Sequence, residues 1–132
     1  MPLRFLVTGL ACFGLVMLLA ALPVVAQGAA PACTIMGTPN GDLLNGTAGP
    51  DVICGRGGAD VITAKGGNDI VRGGGGADTI YGDTGRDRLY GNRGNDHIYA
   101  RDSQQDRVYG GPGSDYARVD NPLDILSSVE ST

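Results

Sequence analysis

Aspartate recurs at a fixed interval along most of this chain. From Asp42 the step is nine residues, through Asp51, Asp60, Asp69, Asp78, Asp87 and Asp96. One extra residue in the stretch Ala100–Gln105 moves the next to Asp106, and the period resumes with Asp115 and Asp124. Carboxylates brought together in half-buried turns repel one another unless a cation intervenes. A pocket of two carboxylates and several backbone carbonyls suits Ca²⁺, which takes roughly six to eight oxygens in flexible geometry. Zinc would want His and Cys, and Mg²⁺ a stricter octahedron. Paired carboxylates also hydrolyse glycosides, but an active site is usually unique and these pairs repeat along the chain. His97 is the only histidine and no nucleophile elbow is present, so no catalytic residue is assigned and a non-enzymatic chain is expected.

The elements that must position these aspartates follow from the residues between them. Two positions after each Asp stands an aliphatic residue: Leu44, Ile53, Ile62, Val71, Ile80, Leu89, Ile98, Val108, Ala117 and Leu126. Before each Asp lies a glycine-rich stretch, as in Gly55-Arg56-Gly57-Gly58-Ala59-Asp60. Gly at the first, second and fourth positions of the unit permits positive φ and a tight turn. The last three positions then form a short strand with position eight inward and positions seven and nine outward. Three residues bury nothing alone, so the units must stack. The spacing predicts an all-β, right-handed parallel β-roll with two nonapeptides per coil, on the order of 24 Å long for five coils. Parity places Asp42, Asp60, Asp78, Asp96 and Asp115 on one side and Asp51, Asp69, Asp87, Asp106 and Asp124 on the other.

These units resemble the G-G-x-G-x-D-x-U-x nonapeptide of RTX proteins. The best copies are 73–81, 110–118, 91–99 and 55–63, and the resemblance spans roughly residues 37 to 127. Gly37-Thr38 and Gly46-Thr47 look like the Gly-Thr variants at the start of such arrays. The layout is similar to small exported calcium-binding repeat proteins of actinobacteria. The resemblance implies several Ca²⁺ ions held by the aspartates named above and by turn carbonyls. Asp106 and Asp124 are expected to be the weaker ligands. The turn before Asp106 has no glycine, and Asp124 follows Pro122-Leu123 in an expected cap with Val119, Ile125 and Val129 as apolar contacts. Ala64-Lys65 replaces the first two glycines ahead of Asp69, so Lys65 could place an ammonium near that site.

The rest of the chain frames this array. Residues 1–26 read as a secretory signal, with Arg4 before an apolar stretch, a helix break at Pro23 and cleavage after Ala26; an uncleaved membrane anchor is the alternative. Export makes an extracellular location the expectation, and a disulfide between Cys33 and Cys54 chemically permissible. In this register the two cysteines fall one coil apart on the same side. Residues 27–36 are expected to be a flexible segment and vestigial repeat, 37–118 the roll and 119–132 the cap. Fourteen acidic against ten basic residues argue against nucleic acid as a partner. Tyr81 and Tyr99 should stack on one face and Tyr90 and Tyr109 on the other. They are read first as cross-strand stabilisation, second as a surface for a cell-surface or polysaccharide partner. A monomer is expected.

Overall fold

A computed structural model describes residues 28–131, with side chains through Val129; the expected secretory signal, 1–26, lies outside the described residues. From Pro31 onward the chain forms one compact body. Its strands are β1 (Ile35–Met36), β2 (Leu43–Asn45), β3 (Val52–Gly57), β4 (Val61–Thr63), β5 (Ile70–Gly75) and β6 (Thr79–Tyr81). They continue as β7 (Arg88–Arg93), β8 (His97–Ala100), β9 (Arg107–Tyr109), β10 (Tyr116–Val119), β11 (Ile125–Ser127) and β12 (Glu130–Ser131). Odd-numbered strands form one parallel sheet in the order β1-β3-β5-β7-β9-β11, and even-numbered strands the other, from β2 through β4, β6, β8 and β10 to β12. Each strand therefore pairs with the one a full coil away, two nonapeptides on. This is the parallel β-roll that the repeat spacing predicts.

The register carries the aliphatic positions into two inner ladders. Ile35, Ile53, Val71, Leu89, Val108 and Leu126 align across one sheet, and Leu44, Ile62, Ile80, Ile98 and Ala117 across the other. Ile53, Ile62, Val71, Ile80, Leu89, Ile98 and Val108 are 0% exposed, while Leu43, Val61 and Tyr81 beside them face out. The alternation is the strand period of two acting on a core two residues thick. Ala64 and Ala100, at the first position of their turns, also lie wholly inside it.

Two departures from the sequence expectation have local causes. Strands of three residues are expected, yet β3, β5 and β7 have six. Their following turns keep the parallel register through Arg56↔Gly74↔Asn92 and Gly57↔Gly75↔Arg93. On the other side only a bridge, Gly66↔Thr84, survives in the turns. Strand pairing also runs past both ends of 37–118, since β1 joins β3, β11 joins β9 and β12 joins β10. Val119, Leu126 and Val129 pack against the core, whereas Ile125, an outward position seven, is 43% exposed.

Candidate metal centre

Two classes of turn connect the strands. The seven turns from Gly55 to Asp115 each have a residue with positive φ, at Arg56, Lys65, Gly74, Asp83, Asn92, Ser103 and Gly111, whereas the turn before Asp124 has none. A second follows two positions on at Gly58, Gly67, Gly76, Gly85, Gly94 and Gly113. The fourth position needs glycine for conformation: Gly76 stands at φ 124°. The first position needs it for room. A Cβ on Gly73 would collide with Asp78 Oδ2 and lie 2.8 Å from the Gly91 carbonyl of the next coil. Carboxylate and carbonyl oxygens therefore converge at the start of these turns. The first two turns, Gly37-Thr38 and Gly46-Thr47, have no positive φ at all.

The aspartates form two continuous ladders. From Asp60 onward each Oδ1 accepts a hydrogen bond from the backbone N–H of the aspartate one coil earlier. Asp42, Asp60 and Asp78 donate in this way to Asp60, Asp78 and Asp96 at 2.8, 2.9 and 2.9 Å. Asp96 donates to Asp115 at 2.9 Å. On the other side Asp51, Asp69, Asp87 and Asp106 donate to Asp69, Asp87, Asp106 and Asp124 at 2.7–2.9 Å. Eight of the ten, Asp51 through Asp115, are buried. Seven of those, Asp60, Asp69, Asp78, Asp87, Asp96, Asp106 and Asp115, have an Oδ2 that no protein group satisfies.

Such an arrangement is costly without a counter-ion. Burial raises the pKa of Asp60, Asp69 and Asp96 above the ordinary 3.8, pushes Asp78 and Asp106 to about 6, and pushes Asp87 to about 7. The backbone bond to Oδ1 works against the shift, and neighbouring carboxylates add to it.

Calcium fits these residues. The orphaned atoms are buried oxygens, stacked at strand spacing, beside carbonyls from the next coil. Among the described residues no three His, Cys, Asp or Glu side chains converge, so a coordination shell here must be completed by backbone oxygen. That composition matches a hard cation with a large, flexible shell.

All ten sequence-predicted ligands fall on the ladders, but their surroundings differ from the expectation. The glycine-free turn does not interrupt its ladder, because Ser103 takes the positive φ (65°) and absorbs the extra residue, so Asp106 is as buried as its neighbours. Lys65 is exposed and contributes positive backbone φ, with no ion pair among the described residues. Asp124 is half-buried and its Oδ2 accepts from the Asn121 N–H at 3.3 Å. The sequence reading missed the threonines: Thr38 and Thr47 each donate backbone N–H and hydroxyl to the Oδ2 of Asp42 and Asp51. Their fixed place four residues ahead of an aspartate was the available signal. Cys33 and Cys54 form a disulfide, Cα to Cα 5.9 Å. Tyr81 stacks on Tyr99 and Tyr90 on Tyr109, with centroids 4.9 and 4.8 Å apart, as their parity requires. His97 meets the edge of Tyr116.

A parallel solenoid whose turns carry two files of buried carboxylates is a repeat-built cation-binding scaffold. Residues 36–71, 72–104 and 81–117 match the RTX calcium-binding nonapeptide repeat (4 copies), and the chain belongs to that family. Among solved structures it is similar to the AlgE6R3 subunit of the Azotobacter vinelandii mannuronan C5-epimerase, at 30% identity and a TM-score of 0.49. That alignment covers 61% of this chain and 52% of the subunit, so the chain spans about half of its length. No curated protein matches.

Proposed function

We propose that this chain is an exported, non-enzymatic calcium-binding β-roll whose folding is coupled to the ion. One observation carries the reading: seven buried aspartate oxygens without a protein partner, on a chain of the RTX repeat family. Without calcium the two ladders repel and the glycine turns lose their order. At the millimolar calcium outside a cell, sites with Kd of about 10⁻⁴–10⁻³ M fill and the roll forms. The test is a calcium titration by calorimetry with circular dichroism in calcium and in EDTA. Several ions and a gain of β signal with calcium are expected; a chain equally folded in both conditions would sink the coupling.

A second reading, an adhesion module in which calcium is purely structural, is favoured by the outer face of the odd-numbered sheet. Arg88 and Arg107 are cross-strand neighbours with no carboxylate partner among the described residues. With Arg86, Asn68 and Gln105 they line a cleft of about 360 Å³ whose lining also includes the ladder carboxylates Asp69 and Asp87. The stacked Tyr90 and Tyr109 stand on the same outer face. Unpaired guanidinium groups in that setting suit carboxylates on an acidic polysaccharide. Arg88→Ser with Arg107→Ser should abolish calcium-dependent retention on a polyuronate matrix while circular dichroism stays unchanged. Undiminished retention removes this reading.

A further inference from the structure

We infer that the first coil closes without an ion, its threonines standing where calcium stands in the coils that follow. The inference rests on the calcium reading above and deepens it by separating ion-free turns from ion-binding ones.

The difference is seen at one atom. In the seven buried turns from Asp60 to Asp115, Oδ2 has no donor. In the Asp42 turn the same atom accepts from the Thr38 N–H at 2.6 Å and the Thr38 hydroxyl at 2.9 Å. In the Asp51 turn it accepts from the Thr47 N–H at 2.7 Å and the Thr47 hydroxyl at 2.9 Å. The other oxygen of Asp51 faces the Thr34 hydroxyl at 3.5 Å, and that hydroxyl also accepts from the Val52 N–H at 2.9 Å.

The backbone separates the same two groups independently. Positive φ at the second turn position, as at Arg56, Gly74 and Asn92, turns that N–H away from the aspartate. The Asn92 N–H, for example, donates to the Gly110 carbonyl one coil on. Thr38 and Thr47 lack positive φ, and their N–H groups point back to their own carboxylates. A carboxylate that already accepts two short hydrogen bonds has much less to gain from a cation than a buried bare one.

The placement has a consequence. The ion-free turns are the first two of the array, and the Cys33–Cys54 disulfide ties the chain before them to β3. The N-terminal edge of the roll is thus held by covalent and hydrogen bonds in the absence of calcium. It offers β4 and β5 a formed strand edge on which ion-dependent coils can add in order.

The experiment counts calcium ions on the full chain by native mass spectrometry. Asp42→Asn with Asp51→Asn should keep the wild-type count, since an amide oxygen can still accept from the threonines. Asp78→Asn with Asp87→Asn should lower it. A lower count in the first pair overturns the inference. A wild-type chain that binds no calcium defeats the calcium reading instead. In that case, or if the first pair fails to fold, hydrogen exchange on the wild type in EDTA decides. Thr38 and Thr47 amides slowed by about tenfold or more relative to Gly76 and Gly94 support an ion-free first coil; equal exchange overturns it.

Discussion

At the scale of single residues, the roll assigns its glycines two different jobs, and a matched pair of substitutions separates them. Gly73 and Gly75 sit in the same turn, and neither has positive φ. A methyl group on Gly73 would run into Asp78 Oδ2 and the backbone carbonyl of Gly91. A methyl group on Gly75 meets nothing within 4 Å. Gly73→Ala should therefore cost about 1–3 kcal/mol in thermal unfolding with calcium present and shift the calcium midpoint upward. Gly75→Ala should leave both near wild type, and equal behaviour of the two variants would show that room at the first position is not what the site needs. The sequence groups the first-position glycine with the second and fourth as a residue for positive φ, although Gly73 has none. Steric room depends on the coil above, which lies eighteen residues away and is invisible to a local pattern.

At the scale of elements, the period of nine was enough to place the inward aliphatic of almost every strand. Position eight is marked both by residue type and by its distance from aspartate, so Ile62, Val71 and Ile80 could be set in the core without coordinates. Strand length was not legible in the same way. β3, β5 and β7 lengthen because consecutive turns on one side repeat the same backbone conformation closely enough to hydrogen-bond, a property of pairs of turns. The tail was misleading for a related reason. Pro122 and the missing glycines put this segment in an expected cap, yet Leu126, in period two positions after Asp124, aligns with Val108 in one more strand, because parallel pairing asks only for an extended segment with one inward apolar residue. The aspartates of both ladders were placed to the residue, since aspartate at fixed spacing survives every substitution in the turns. Which carboxylates are already satisfied was hidden, because it depends on the φ angle of the residue four positions earlier.

At the scale of the whole roll, ten of the chain's fourteen acidic residues belong to the two ladders, so its stability must depend on what neutralises them. In the ion-free roll Asp87 has a pKa of about 7, and Asp78 and Asp106 of about 6, against an ordinary 3.8. Between those limits the folded roll holds protons that the unfolded chain has released. Stability therefore falls as pH rises from about 4 to about 7, and the contribution is gone above that window. In EDTA, acidification from about pH 7.5 to about pH 4.5 should increase the β signal in circular dichroism. Calcium must reverse the trend, because the ion needs the deprotonated carboxylates and competes with protons for the same oxygens. With calcium present, the same acidification should raise the apparent Kd and release ions. Protons and calcium are thus alternative ways of discharging one ladder, each excluding the other. If the EDTA sample instead loses structure on acidification over this range, the buried aspartates are not what destabilises the ion-free chain, and the coupling between ion and fold must lie in the turns.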